Sequence, residues 1–403
     1  MKNIIHSLLR FSLRLTSYFF FEKIYISGIE NLPDSYPVIL ACNHPNAFLD
    51  SIVMTTCVKR PLYYTARGDF FKSKVASSLL HFINIFPVYR KEEGQELIYK
   101  NNETFSYSIE LFKKNGALVI FPEGLSENKY DLRPLRKGIA RLAFEAWNNS
   151  EISDKLRIVP IAIHYSSWLK IRPIVYVEFL KNIEKKEFID LTESGFFNKS
   201  FNEKLKMIFS EKCIVVDKTS NTISQNKIIS FMLKNYLNAT ANTKKIQDKY
   251  INEVNGKFKS DYNALSDFLT KENVNYDLKR EKGIMKFINL ISWFIVFGTA
   301  FIYNFIPYFI AAFISRKSTK GNDFHDSLLY CVLMFIYPVY LIILFSITTD
   351  CVNYKAGLLD VFLTAFSAFY YEAAKRYILT FFKGEKLVIV HDMLKKFFEK
   401  GNG

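Results

Sequence analysis

Two short stretches hold the residue types that moving an acyl group requires. One reads Cys42-Asn43-His44-Pro45-Asn46-Ala47-Phe48-Leu49-Asp50, and a later one reads Phe121-Pro122-Glu123-Gly124-Leu125-Ser126. Transfer of an acyl group to a hydroxyl needs a base at the hydroxyl proton, and an imidazole of unperturbed pKa near about 6.5 suits neutral pH. A carboxylate on the other ring nitrogen fixes the tautomer and stabilises the imidazolium that forms. The chain has only 6 histidines, so His44 has few rivals as base, with Asp50 as its orienter. Taken alone, the pair equally describes a surface histidine and an aspartate at the start of a helix.

Further residues suit an anionic substrate. Pro122 and Gly124 make a tight turn after an apolar strand, where Glu123 is placed to bind a polyol or a cation and Ser126 follows. Backbone amides near Gly124 are candidates to face an oxyanion or phosphate. Arg90 ends the apolar segment Phe82–Val88-Tyr89, and Arg133, Arg136 and Lys137 follow the turn. Arginine binds phosphate through a planar fork, so these cations outline a phosphate site. Pro160 lies inside an apolar strand; proline is excluded from most central strands, so it indicates an edge, a bulge or a wall for an acyl chain.

The elements that position these residues read as α/β. Buried strands are expected at Val38–Ala41, Ala117–Phe121, Ile158–Ile163 and Ile174–Phe179, with helices over Thr104–Lys114 and Gly138–Trp147 between them. His44 then follows one strand and Glu123 another, and strand-end loops are where α/β sheets place reacting groups. Pro45 keeps the chain out of a helix until about Asn46.

Five segments emerge. Residues 1–22 form a basic, aromatic helix in which Arg10 and Arg14 break the apolar run, fitting a helix lying in a membrane interface better than a span or signal peptide. Residues 23–183 are the α/β catalytic domain. Residues 184–283 are Lys-, Asn- and Glu-rich, with helix-period stretches at Phe201–Phe209 and Ile228–Leu237, and read as a charged helical insert. Residues 284–383 carry two runs free of charge, Phe287–Ser315 and Ser327–Thr349, each long enough to cross a bilayer. Basic residues flank the first run on both sides, which favours a helix that enters, breaks at Asn304–Pro307 and returns; plain spans are the alternative, since proline is common in spanning helices. A third apolar stretch, Ala356–Tyr371, contains Asp360 and reads as amphipathic or packed. The charged tail 384–403 completes the chain.

Composition narrows the partners. The 403 residues are 49% hydrophobic and 16% aromatic, with 39 Phe and a net charge of +15. Basic and Phe-rich together suggest an anionic phospholipid surface. Nucleic acid also attracts positive charge, but the charge is spread along the chain and no zinc-finger, RNP or basic-zipper pattern occurs. The 5 cysteines are odd in number, far apart and lack C-x-x-C, which argues against a disulfide framework or a thiolate metal site.

Together the blocks Asn43–Asp50, Ile85–Arg90, Phe121–Ser126 and Ile158–Ile163 resemble those of the glycerolipid acyltransferases, in the same order, over residues 23–183. The stretch from Phe121 through Asp131-Leu132-Arg133-Pro134-Leu135-Arg136-Lys137-Gly138-Ile139-Ala140 resembles the fungal-type glycerol-3-phosphate/dihydroxyacetone-phosphate branch. The resemblance implies a mixed sheet flanked by helices, a membrane-bound enzyme with its catalytic domain on the cytoplasmic face, and acyl-CoA or acyl-carrier protein as co-substrate. It implies His44 and Asp50 as the catalytic pair. Asn43, Arg90, Glu123, Gly124, Ser126, Arg136 and Lys137 would serve the phosphorylated acceptor, with Pro160 at the acyl chain. No cofactor, metal or covalent enzyme intermediate is implied. Two positions depart from the pattern. Five residues, Pro45 to Leu49, separate His44 and Asp50 where four are usual, and Leu125 stands where many relatives carry a polar residue. An extra residue rotates Asp50 by about 100° on a helix, so the loop must absorb it. Competing readings are a metal-dependent hydrolase using His44, Asp50 and Glu123, and a catalytically silent membrane-binding protein.

Overall fold

In the computed structural model, residues 2–90, 94–168, 171–188, 190–191, 193–215, 233, 284–320 and 322–382 are described. The expected segments Ile228–Leu237, apart from Leu233, and 384–403 lie outside them. The chain divides into two compact units. One comprises Met1–Phe11, Ile24–His164 and Val175–Val215; the other comprises Ser12–Lys23, Tyr165–Ile174 and Val216–Gly403.

The first unit is built on a seven-stranded sheet. Its strands are β1 (Lys23–Ser27), β2 (Val38–Cys42), β3 (Leu62–Arg67), β4 (Ile85–Val88), β5 (Ala117–Ile120), β6 (Arg157–Tyr165) and β7 (Ile174–Phe179), in the order β1-β7-β6-β2-β5-β3-β4. β2 runs parallel to both β5 and β6, and β3 runs parallel to both β4 and β5. β7 neighbours β6 in the sheet, and beyond β7 Ile183 bridges Ile158 of β6 antiparallel, so the chain turns back along β6 and the sheet is mixed. All five residues of β2 are buried, as an interior parallel strand covered on both faces requires. Among the described residues, five helices accompany the sheet: α2 (Ala47–Cys57), α3 (Lys74–Phe82), α4 (Asn101–Lys113), α5 (Gly138–Asn148) and α6 (Ser194–Lys212).

Ile39 and Ala41 of β2, Leu118 of β5, and Ile158 and Ala162 of β6 share one core with α5 and α6. From α6, Phe197, Phe201, Leu205 and Phe209 are all buried in it. This corrects the expected solvated insert beginning at 184. The Phe-x3-Phe-x3-Leu-x3-Phe spacing stacks four apolar side chains on one helix face, and the sheet unit takes the chain to Val215. Pro160 corrects another expectation. β6 lies between β7 and β2, not at an edge, and Pro160 is buried opposite Ala41. Alternation along the strand puts it on the same face as Ile158 and Ala162, toward α5 and α6, and its carbonyl accepts Leu180 N–H at 2.9 Å.

Helix α1 (Lys2–Phe20) is continuous. Ile4, Leu8, Phe11, Leu15 and Tyr18 recur at helical spacing and are exposed, so an apolar stripe points outward. Within the first unit, Arg10 donates to the Arg60 carbonyl at 2.9 Å, and His6 Nε2 lies 2.7 Å from the Phe82 carbonyl.

The second unit contains α7 (Ile284–Thr319), α8 (His325–Cys351) and α9 (Tyr354–Phe382). Two stretches, Phe287–Thr319 and His325–Cys351, are long and apolar enough to cross a membrane. The expected break at Asn304–Pro307 is absent, because α7 runs through it without interruption. A proline removes the hydrogen bond to the carbonyl four residues back, here Tyr303. Tyr340 of α8 replaces it, donating its hydroxyl to that carbonyl at 2.6 Å. Asn304 donates to the Thr364 carbonyl at 3.3 Å and to Ser367 at 3.1 Å, and accepts from Tyr337. Asp360 accepts from Tyr303 and Thr348, both at 2.7 Å.

The pairing of the three helices follows from these contacts. α7 meets α8 from Ser315–His325 to Tyr303–Tyr340, and meets α9 from Asn304–Thr364 to Trp293–Tyr377. α8 and α9 meet at Phe345–Tyr354 and Thr348–Asp360. Each helix therefore pairs with one neighbour along part of its length and with the other elsewhere, and polar side chains mark the crossing. The second half of α1 belongs to this unit, where Ser17 bonds Tyr330 at 2.8 Å and Tyr18 stacks on Phe369.

Candidate active site

Parallel pairing explains why the two motifs meet. Ala41 of β2 stands beside Ile120 of β5, so both strands leave the sheet at the same edge. Each runs directly into its motif, and the two loops face each other. The ring of Phe121 stacks on the His44 imidazole at 3.9 Å, 16° from parallel.

Nδ1 of His44 lies 2.8 Å from Oδ2 of Asp50, which is fully buried. With Nδ1 donating to the carboxylate, Nε2 is the nitrogen left to accept a proton. The same Oδ2 accepts Asn46 N–H at 2.9 Å. The five-residue spacing is absorbed in the backbone. Pro45 and Asn46 precede α2, and Ala47 takes a φ of 44°, a left-handed conformation uncommon for alanine. That turn offsets the rotation the extra residue imposes, and Asp50 enters α2 in its first turn facing His44. Ser126 steadies it, its Oγ accepting Ala47 N–H at 2.5 Å.

Glu123 is buried at the opposite side of the loop. Its Oε1 accepts His44 N–H at 3.0 Å; its Oε2 accepts the Arg133 side chain at 2.6 Å and the Arg133 backbone N–H at 3.2 Å. Arg133 Nη2 then donates to the His44 carbonyl at 2.9 Å. Arg133 therefore does not join Arg136 and Lys137 as a phosphate cation, since its guanidinium is committed to Glu123. Asn43 is also turned inward, with its amide donating to the Ile163 carbonyl at 3.0 Å and accepting Ile163 N–H at 2.7 Å, tying the end of β2 to β6.

The cations that remain cluster at Gly124. Arg90, from the far strand β4, donates to the Gly124 carbonyl. Gly124 has a left-handed φ of 71°, which favours glycine, and a β-carbon there would sit a tight 3.1 Å from the Arg136 side chain. Arg136 and Lys137 are exposed where α5 begins. Leu125 is exposed beside them.

The amide of Gly124 itself is spent within its own turn. Gly124 N–H donates to the Phe121 carbonyl at 3.0 Å, closing the turn. His44, Asn46 and Ala47 spend their amides on Glu123, Asp50 and Ser126. Burial, with Asp50 adding to it, pushes the Cys42 thiol well above its ordinary range, so it is a packed thiol. Among the described residues no three His, Cys, Asp or Glu side chains converge as a metal site.

Three features were not legible in the chain: the stacking of Phe121, the left-handed Ala47, and the bridge from Arg133 to Glu123. The only signal was the run of arginines after the turn, which read as phosphate cations.

Residues 23–164 match the family model described as Acyltransferase, a stretch that contains His44, Asp50, Glu123 and the strands β1 to β5. No curated protein matches the chain. Among solved structures, the crystal structure of the 1-acyl-sn-glycerophosphate (LPA) acyltransferase PlsC from Thermotoga maritima is similar in part. Its TM-score is 0.37 at 16% identity, and the match covers 52% of this chain and 81% of that one.

Proposed function

We propose that this chain is a membrane-associated O-acyltransferase of glycerolipid synthesis. It moves a fatty acyl group from an acyl thioester to a hydroxyl of glycerol 3-phosphate or a lysophospholipid. The observation that carries the reading is the His44 Nδ1–Asp50 hydrogen bond of 2.8 Å at a strand edge bordered by Arg90 and Arg136. Nε2 takes the proton from the acceptor hydroxyl as its oxygen attacks the thioester carbonyl. The tetrahedral intermediate collapses, the carbon–sulfur bond breaks, and the imidazolium returns its proton to the leaving thiolate. The products are an ester and a free thiol, with no metal and no covalent enzyme intermediate. Arg90, Arg136 and Lys137 hold the phosphate.

Acyl-CoA or acyl-carrier protein supplies the acyl group. The outward apolar stripe of α1 and the apolar exterior of α7 and α8 support attachment to an anionic bilayer. A cytoplasmic face for the catalytic domain rests on the family resemblance, because an unbroken α7 that crosses a bilayer sets its basic flanks, 279–286 and 316–320, on opposite sides. The fungal-type branch is supported by the run from Phe121 to Ala140.

The test incubates purified protein with radiolabelled acyl-CoA or acyl-carrier protein against glycerol 3-phosphate, dihydroxyacetone phosphate, lysophosphatidate and other lysolipids. The labelled product names donor and acceptor together. Failure to consume either thioester with any acceptor sinks the reading.

A further inference from the structure

His44 is gripped by more than its side chain. Glu123 Oε1 takes its N–H at 3.0 Å, Glu123 Oε2 takes the Arg133 side chain at 2.6 Å, and Arg133 Nη2 returns to the His44 carbonyl at 2.9 Å. The path closes on the residue where it began. Both oxygens of the carboxylate are used, and the pair is buried, with side chains 1% and 14% exposed. An ion pair taken out of water contributes little net stability, because desolvation offsets the attraction. Its geometry, however, is rigid, since charge-assisted hydrogen bonds act at both ends of one backbone residue.

We infer that Glu123 and Arg133 are positioning residues for acyl transfer. They fix the His44 backbone, while Asp50 fixes the ring. This rests on the reading of His44 as general base. The loop from Asn43 to Asn46 has no regular structure of its own to hold it. A catalytic group displaced by about 1 Å costs on the order of 10²-fold in rate, so the loop needs an external clamp. The strap that follows β5 supplies it through Phe121, Glu123, Ser126 and Arg133. Glu123 is then not an acceptor ligand, and Arg133 is not a phosphate ligand.

The clamp also balances charge. The groups facing His44 are Asp50 from α2 and Glu123 and Arg133 from the strap, with Arg90 and Arg136 beyond them at Gly124. Arg133→Gln leaves a bare carboxylate against the loop, which favours protonated imidazole. Glu123→Gln leaves a bare guanidinium, which disfavours it. The two variants therefore shift the acidic limb of the rate profile in opposite directions, and the double variant restores it.

The experiment measures kcat and acceptor KM across pH for Arg133→Gln, Glu123→Gln, the double variant and Arg133→Lys in full-length protein, with thermal melts as a folding control. Arg133→Gln is expected to lower kcat by about 10²-fold with acceptor KM within about threefold. Its acidic limb moves to higher pH, that of Glu123→Gln moves to lower pH, and that of the double variant returns. Where Arg133→Gln does not fold, Arg133→Lys keeps the charge but not the two-point grip, and is expected to lower kcat with the limb in place. A rise in acceptor KM of about tenfold at unchanged kcat makes Arg133 a phosphate ligand and overturns the inference; so do limbs that do not move. Carbethoxylation of His44 by diethyl pyrocarbonate, followed by mass spectrometry across pH, reads the same opposed shifts without any turnover. If those shifts appear while His44→Ala retains acyl transfer, the clamp stands and the general-base reading fails. If they are absent, the clamp itself is wrong.

Discussion

The two units spend their polar groups in opposite ways. The sheet unit buries apolar side chains between the sheet and α5 and α6, and gathers charge at one strand edge around His44. In the helical unit Ile302, Phe335 and Ile342 are exposed, while Asn304 bonds Thr364 and Ser367, and Asp360 bonds Tyr303 and Thr348, across helices. The same rule produces both patterns: polar groups away from water need partners, and apolar groups go wherever the surroundings are apolar. For the sheet unit that place is its own interior. For the helical unit, on the proposed reading, it is lipid.

The comparison can be broken at several points. The largest effect is expected at the charged edge: His44→Ala should lower turnover by about 10³-fold with the thermal melt and membrane binding unchanged. Near-wild-type activity would remove the edge from the chemistry.

Next comes the interior of the sheet unit. His164 on β6 is fully buried, and burial lowers its pKa from 6.5 to about 4, with a backbone contact from Lys212 opposing the shift. The unfolded chain takes up a proton near pH 6.5 while the folded chain does not until about 4. The stability this provides is therefore complete above 6.5 and is lost as pH falls toward 4, by about 3 kcal/mol in all. Denaturant titrations of the wild type and His164→Phe between pH 7 and 4 should show the variant flatter; equal slopes would contradict the burial argument.

The outward face of α1 is the third point. Leu8→Ser with Phe11→Ser removes two exposed apolar groups and is expected to weaken binding to anionic vesicles by about tenfold without affecting the melt. Unchanged sedimentation with vesicles would assign membrane attachment elsewhere. The smallest effect is expected at the polar crossing. Asp360→Asn retains a hydrogen-bonding side chain between Tyr303 and Thr348, so a loss of about 0.6 kcal/mol is expected in detergent-based unfolding. A loss several times larger would mean that the carboxylate charge itself matters there.

Much of the fold was legible because buried parallel strands are continuous apolar runs. The expected strands at Val38, Ala117, Ile158 and Ile174 all form, and only their ends move by a residue or two. β1 and β3 were not legible, since Lys23–Ser27 and Leu62–Arg67 mix polar with aromatic residues. The Phe periodicity of α6 was visible, but surrounding lysines and glutamates suggested a solvated helix; only packing tells which face of a charged helix has a partner. Pro307 read as a break because local rules see the lost hydrogen bond and not the Tyr340 hydroxyl that replaces it.

By itself the sequence determined which residues end the strands, and so which side chains compete for the site: His44 and Asp50 after β2, Arg90 after β4, Glu123 and Gly124 after β5. That follows because strand and turn chemistry is local. The tertiary structure alone decided what those residues do to one another. It closed the five-residue gap through a left-handed Ala47, spent the loop amides on Asp50, Glu123 and Ser126, and turned Arg133 from an apparent phosphate cation into the partner of Glu123. These outcomes depend on the register of β2 against β5, which sets loops distant in sequence within hydrogen-bond reach, and no local pattern encodes that distance.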